Sequence, residues 1–501
     1  MAKYKHTDAA SGQGLFLTVN LKEQLLPGTF EYMLNDVLNN KIDLSNFDTN
    51  YKNDKTGASA IPPAAMMKLI IYGYSKGLKS SREIGELSKT NIIAKALTED
   101  LEPHWTTIAD FISGNNEQFR EVFEKVLTYC NELGLIGGKV FAIDGCRLPS
   151  NASMELTGTE EELKKRLKVY KTMAERHIER HKRKDTKGAV SAEDVRHYEE
   201  RQKKLNQGIE KISTFLENME KREGRNGKEL KSNVTDNESA LIHTSKGYIQ
   251  GYIGIAVSDD KNQVIVSAEA VGSANECEHF PRMLLETNKS IEETGIKKKR
   301  KATILADSNY FSEENLRAAE AAGMEAIIPD GDYKKRLGKK AERRYNAADF
   351  KHHKGGDYYI CPCGKRLEYK GNTYLRGKEG KEYRAKVKDC RACPCFSTCI
   401  KSKKDQKTIS KGRTLLIMAS SEEGSLCMKL KKKLNSEEYQ ERYSRRIQII
   451  EPVFSDIAYC KELNRFSLRG KNKVNGQWQL YCIVHNLCKC LKRYNQKKRY
   501  A

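Results

Sequence analysis

The sequence predicts an α/β fold: a mixed sheet with flanking helices, an all-helical domain ahead of it, a helical-hairpin insertion and a Cys-rich insertion. Three observations predict it. Two short apolar runs, 140–143 and 301–306, each lead straight into a carboxylate, Asp144 and Asp307. Two further runs, 247–257 and 263–271, flank Asp259-Asp260-Lys261-Asn262, which is hairpin-turn chemistry. Between and around these runs, apolar side chains recur three or four residues apart, the period of amphipathic helices.

Taken in order, residues 27–135 read as helical, with amphipathic segments at 64–73, 81–88 and 106–133, the last capped by Thr106 or Thr107. Gly137-Gly138 closes this part, so residues 1–137 are expected to form a helical DNA-binding or dimerisation domain and 138–501 a catalytic domain. The strand at 140–143 is expected to stop at Asp144-Gly145, leaving the carboxylate at its C-terminal end. Residues 160–225 lack proline and place Leu163, Leu167, Tyr170 and Ala174, then Leu205, Ile209, Ile212, Leu216 and Met219, at helical spacing on either side of Gly188. This predicts an antiparallel helical hairpin, inserted over 157–228. A helix at 274–294, a helix capped by Ser312 and running to Ala321, and a strand at 324–328 follow. Residues 331–413 read as an irregular Cys- and Lys-rich insertion, followed by a strand at 415–418 and helices at 436–459 and 477–494. Pro452 predicts a kink or a helix start next to Glu451.

The 501 residues carry 90 Lys plus Arg against 67 Asp plus Glu, a net charge of +23, which points to a polyanionic partner. That excess is localised. Residues 351–501 hold 36 basic and 14 acidic side chains, a net of +22, leaving 54 against 53 for the first 350. No apolar run approaches the roughly eighteen residues that span a bilayer, and the first residues contain no signal-peptide core, so a cytoplasmic, nucleoid-associated protein is expected. In a reducing compartment the 14 Cys favour free thiols or metal ligands over disulfides. The basic runs at 297–301 and 497–499 read as solvated faces or tails.

Strands that end in carboxylates, placed side by side in one sheet, bring like charges together where ligand sites gather. A divalent cation is the usual reason to tolerate this, and oxygen donors suit Mg²⁺ or Mn²⁺. A two-metal phosphoryl-transfer site normally adds a third carboxylate, for which Glu451 is the best candidate. It follows the basic stretch Arg442-Tyr443-Ser444-Arg445-Arg446 and opens Glu451-Pro452-Val453-Phe454. Any one strand-end Asp alone reads equally well as a turn former, and a Glu among Arg as a solvated ion pair. The three together carry the metal-site reading.

Phe141-Ala142-Ile143-Asp144-Gly145, Ile304-Leu305-Ala306-Asp307-Ser308-Asn309-Tyr310-Phe311 and Ile450-Glu451-Pro452-Val453-Phe454, with His485-Asn486-Leu487 beyond, resemble the catalytic blocks of bacterial insertion-sequence DDE transposases. Ser80-Ser81-Arg82-Glu83 and Pro103-His104-Trp105-Thr106-Thr107-Ile108 resemble the InsH-like helical domain of those proteins. The resemblance implies a ribonuclease-H-like sheet on which Asp144, Asp307 and Glu451 hold two Mg²⁺ (or Mn²⁺) ions that cut transposon ends and join them to target DNA. It also implies double-stranded DNA as partner and at least a dimer when two ends are synapsed. Tyr443 and Arg446 stand one residue further from Glu451 than in the related Tyr-Arg-Glu-Lys signature, and Ala458 occupies its Lys position. Arg445 and Lys461 join them as candidate DNA contacts. Asn309 stands where such proteins often carry Gly, a position where Asn tolerates left-handed φ.

Six of the Cys lie between Cys361 and Cys399: a Cys361-Pro-Cys363-Gly turn, then Cys390, Cys393, Cys395 and Cys399. Tetrahedral Zn²⁺ takes four thiolates, and the preferred set is Cys361 or Cys363 with Cys390, Cys393 and Cys399, in a structural role. Lys and Arg of this region are interleaved with Tyr358, Tyr359, Tyr369, Tyr374 and Tyr383, a surface suited to salt-dependent phosphate contact. Two other functions remain open at this level: a ribonuclease-H-fold nuclease without strand transfer, and a zinc-stabilised DNA-binding regulator with an inactive core.

Overall fold

The structure, a computed structural model, describes residues 20–51, 59–185, 192–224, 227–297, 302–331, 333, 337, 345, 347–375, 378–400, 406–418 and 425–500. Gly188 of the hairpin and residues 298–301 of the first basic run lie outside the described residues. The chain divides into two compact units: residues 1–135, 457–463 and 479–501 form one, and 136–456 with 464–478 the other. None of the described helices is long and apolar enough to cross a membrane.

The first unit is helical: α1 (Phe30–Asn40), α2 (Pro63–Ser75), α3 (Ser81–Thr90), α4 (Ile92–Thr98), α5 (Trp105–Gly114) and α6 (Asn116–Glu132). The single helix expected over 106–133 is two. Gly114 is a poor helix residue, and Asn115, at φ −116° and ψ 40°, leaves helical geometry between them. The cap of α5 is His104, not Thr106 or Thr107; its ring accepts from the Thr106 amide. Ser80 and Glu83 form a reciprocal capping box on α3. Residues 479–500 of the last helix belong to this unit, where Tyr481 stacks on Tyr74 at 4.4 Å between ring centroids. Cys490 lies 3.4 Å from Cys130, sulfur to sulfur, and the Tyr494 hydroxyl donates to Asp36.

In the second unit, β1 (Val140–Pro149) begins a mixed sheet. β2 (Thr157–Gly158) and β3 (Ser232–Asn233) pair as a small ribbon at the base of the helical hairpin α7 (Glu160–Asp185) and α8 (Ala192–Glu217). β4 (Ala240–Thr244), β5 (Gly247–Asp259) and β6 (Ile265–Val271) are antiparallel neighbours, and the β5–β6 turn falls where the Asp-Asp-Lys-Asn sequence puts it. After α9 (Phe280–Glu293) come β7 (Ala302–Leu305), α10 (Glu313–Ala321) and β8 (Met324–Ile327). The order is β4-β5-β1-β7-β8, with β6 also on β5; β1, β7 and β8 run parallel, and β5 is antiparallel to β1. This is a mixed sheet with flanking helices, consistent with a ribonuclease-H-like core. Phe141, Ala142, Ile143, Ile255, Ala256, Val257, Ile304 and Leu305 are fully buried, which explains their continuous apolar runs.

The region expected to be irregular is instead a second, five-stranded antiparallel sheet. Its strands are β9 (Lys351–His353), β10 (Tyr358–Ile360), β11 (Arg366–Leu375), β12 (Lys378–Ala385) and β13 (Thr414–Met418), in the order β13-β12-β11-β10-β9. Leu367, Tyr383, Ala385 and Leu415 from its strands meet Phe350, Cys390, Phe396 and Ile409 in a small core. Alternation at Arg366-Leu367-Glu368-Tyr369 and Glu382-Tyr383-Arg384-Ala385 supplies the period of two that a strand needs, behind a composition that reads as loop. Short helices α11 (Val387–Arg391) and α12 (Phe396–Cys399) hold the later cysteines, and α13 (Leu426–Lys433) and α14 (Glu437–Ser455) follow. Pro452 does not start a helix; α14 runs through it and passes into a π turn at Asp456–Cys460. The last helix, α15 (Lys471–Tyr500), gives its residues up to 478 to this unit.

Candidate active site

The parallel ladder between β1 and β7 positions the first two carboxylates. Ala142 pairs with Leu305, the last residue of β7, so Asp144 and Asp307 stand the same two residues beyond it. Because side chains repeat every two residues along a strand, both project on the side of Ala142 and Leu305. One expectation is corrected. β1 does not stop at Asp144 but continues to Pro149, paired with β5 throughout, and Asp144 lies opposite Ala256. It is β7 that ends there, opening a gap beside β1.

A third carboxylate, which the sequence reading missed, converges on that gap. Carboxylate oxygens of Asp144, Glu276 and Asp307 all lie within 4.8 Å of one another. Glu276 sits in a 3₁₀ turn (Glu276–His279) just ahead of α9 and is 4 % exposed. Its Oε1 accepts from Arg147 at 3.3 Å and from the Asn309 amide at 3.4 Å; its Oε2 is buried without a partner among the described residues. Burial, then the charge of Asp144, pushes the Glu276 carboxyl up to about 7, against the opposing pull of Arg147. Asp307 is raised by the same causes, burial first and Asp144 second. The signal for Glu276 was present: β6 too is followed by acids within a few residues, but reading 274–294 as one helix hid it.

Asp307 is held by its own turn. It accepts from the Asn309 backbone at 2.8 Å and the Asn309 side chain at 3.1 Å, as the N-cap of a 3₁₀ turn at Ser308–Tyr310. Asn309 therefore does not use the left-handed φ its residue type allows. Asp144 accepts from the Gly145 backbone at 2.9 Å and from Arg446 at 2.9 Å, an ion pair in which both side chains are largely buried. Arg446 comes from α14, which is fixed to the sheet by Arg442 to Glu325 at 2.7 Å and Thr303 at 2.9 Å, and by Arg445 to Asp260 at 2.5 Å. Tyr443, on the same helix, packs edge-on to Tyr333. Glu451 lies on α14 beyond Arg446 and is exposed, outside the group of converging oxygens. Lys461 is 3 % exposed and belongs to the helical unit, so its ammonium offers a phosphate no surface here. Cys146 is half-buried, its thiol donating to the Gly254 carbonyl, and desolvation pushes that thiol far up, which disfavours the thiolate a nucleophile needs.

All six cysteines of the insertion line one small cavity between the second sheet, α11 and α12. Cys363, Cys393 and Cys395 bring their sulfurs within 4.8 Å of one another. This trio takes Cys395, which lies outside the preferred set, together with Cys363 and Cys393 from within it. Backbone amides of Lys365 and Arg413 donate to Cys361 at 3.2 Å and to Cys390 at 3.3 Å. Cys395 is lowered because it accepts hydrogen bonds from Cys363 and Tyr345, whereas burial pushes Cys399 up to about 11.

The two constellations differ in donor chemistry: oxygens alone in the first suit a hard divalent cation, and clustered sulfurs in the second suit a soft one. No curated protein matches the chain. Two family models do: Transposase DDE domain over residues 360–491, and Transposase domain (DUF772) over residues 19–114. The first spans the cysteine cavity and α14; the second spans α1–α5. Together with the carboxylate cluster on the sheet between them, these matches support a DDE transposase of insertion-sequence type.

Proposed function

We propose that this protein cuts the ends of an insertion sequence and joins them to target DNA by two-metal phosphoryl transfer. The shared offset of Asp144 and Asp307 beyond the last β1–β7 pair carries the reading, because it brings two carboxylates together without regard to any motif. Asp144 and Asp307 would hold Mg²⁺ or Mn²⁺, with Glu451 supplied from α14. Such ions, when bound, activate a water or a DNA 3′-hydroxyl and stabilise the leaving oxygen. In their absence Arg446 supplies the positive charge at Asp144, and it has to share or leave that carboxylate when a cation arrives. Once released it stands beside the reacting phosphate, where a guanidinium binds two oxygens at once. Tyr443 and Arg445 flank it on the same helix, and the basic excess after residue 350 gives the DNA backbone a surface to follow.

A structural Zn²⁺ in the cysteine cavity, held by Cys363, Cys393 and Cys395 with a fourth thiolate from Cys361, Cys390 or Cys399, would tie the Cys361–Cys363 turn to the segment after β12. The proposed partners are two transposon ends and a target duplex, which require at least a dimer during the reaction, in the cytoplasm on nucleoid DNA. The test is incubation of the purified chain with Mg²⁺, the DNA termini flanking its gene and a target plasmid. Joined products support the proposal. Nicking without joining would leave a nuclease, and binding without nicking a regulator.

A further inference from the structure

We infer that Glu276 is a metal ligand: its unpaired Oε2 takes a divalent cation together with Asp144 and Asp307. The inference rests on the metal-site reading above and adds to it a carboxylate that reaches the site from the sheet side, independently of α14. An unmet acceptor in a protein interior is costly, more so when charged; Asp236 also buries an oxygen with no donor among the described residues, but at Glu276 two further carboxylates converge within 4.8 Å. Glu276 satisfies one oxygen. Arg147 and Asn309 both hold Oε1, which orients the group, and Oε2 is left without a donor among the described residues although Glu276 is 4 % exposed.

The backbone is shaped around that oxygen. A β carbon built on Gly145 would stand 2.5 Å from Glu276 Oε2 and 2.6 Å from the Ile253 side chain, so only glycine next to Asp144 lets this carboxylate lie against β1. Tyr310 nearby is fully buried, and its hydroxyl too has no partner among the described residues. A cation there would meet Oε2 directly and compensate three carboxylates, of which Glu276 pairs with Arg147 and Asp144 with Arg446. With Asp144 on β1, Glu276 ahead of α9 and Asp307 after β7, this ligand set forms without Glu451.

Mn²⁺ binding to the purified full chain, read from the loss of the free-ion electron paramagnetic resonance signal, tests this. Glu276→Gln is expected to weaken the tightest Mn²⁺ site at least tenfold while the metal-free melting temperature stays level or rises. Glu276→Gln binding Mn²⁺ within twofold of wild type, while Asp144→Asn and Asp307→Asn lose it, would overturn the inference and spare the metal-site reading. Retention by all three would remove that reading as well. Where Glu276→Gln fails to fold, Glu276→Asp keeps the charge but withdraws it by one methylene. It is expected to weaken binding by the same order, and unchanged affinity there counts equally against Glu276.

Discussion

The carboxylate cluster and the cysteine cluster are built in opposite ways. The first gathers Asp144, Glu276 and Asp307 from a span of more than 160 residues, and sheet register places the two Asp residues: β1, β5 and β7 share the buried centre of the first sheet. The second gathers six thiols from a 39-residue stretch, across turns and two helices of five and four residues, around a core of a few side chains. The contrast teaches which site can afford to be empty. A site held by a sheet is preorganised and can wait for its cation. A site held by short turns has a small core behind it, so a cation bound there would add to the stability of its fold.

The largest expected effect lies on the cysteine side. Cys393→Ser, or prolonged chelation, is expected to remove zinc worth on the order of 10 kcal/mol of binding free energy and to open the second sheet. Metal analysis should show about one zinc per chain before and none after, with amide exchange rising across β10–β12 and unchanged across β1, β5 and β7. Equal loss of protection in both sheets would erase the contrast. Next comes the carboxylate side, where Asp144→Asn and Asp307→Asn should each cut Mg²⁺-dependent cleavage on the order of a thousandfold. The melting temperature should hold level or rise for Asp307→Asn, because a like charge has been removed, and fall for Asp144→Asn, which leaves the largely buried Arg446 without its partner; a fall of several degrees for Asp307→Asn would mean that this acid serves the fold.

Smaller perturbations probe the scaffold itself. A β carbon at Gly254 would stand 3.0–3.1 Å from the buried Trp478 ring, whose Nε1 donates to Ile255 O at 3.0 Å, so Gly254→Ala should cost about 1–3 kcal/mol in urea unfolding. Ser312→Ala removes the cap of α10, just after Asp307, and should cost about 1 kcal/mol while leaving the second sheet untouched.

The smallest effect is a reference for buried charge that has been satisfied. Lys68 in α2 is 2 % exposed, yet its ammonium donates to Asn35 at 3.0 Å and Asn39 at 3.3 Å, unlike Glu276 Oε2. Burial lowers its pKa from 10.5, with Glu99 opposing, so over the window between the lowered value and 10.5 the unfolded chain holds more protons than the folded one. Stability of wild type relative to Lys68→Met should therefore rise with pH across that window and stay constant below it. Melting curves of the pair at pH 7, 9 and 10.5 check the sign.

Much of this was legible beforehand because it is local. Period-two and period-3.6 patterns placed β1, β5, β6, β7, α7, α8 and α10, and the acids that follow β1 and β7 were visible as residues. The second sheet was not read because Lys and Arg fill its exposed positions and obscure the alternation at Leu367 and Tyr383. The division of 106–133 into two helices hung on a single Gly-Asn step. Glu276 was hidden inside a longer helical pattern, and nothing in its neighbourhood tells of Arg147, Asn309 or Gly145.

By itself, then, the sequence determined the strands of the first sheet and the helices of the hairpin, where the charge excess lies, and that six thiols fall close together, since each follows from side chains a few residues apart. Only the tertiary structure decided that Glu276 joins Asp144 and Asp307, that Arg446 neutralises Asp144, that Lys461 is buried, and that residues 479–501 share a compact unit with residues 1–135. These depend on ladder register and on which faces pack. Pairings such as Glu276 with Asp144 and Arg446 with Asp144 are made between residues more than a hundred positions apart and leave no periodicity in the chain.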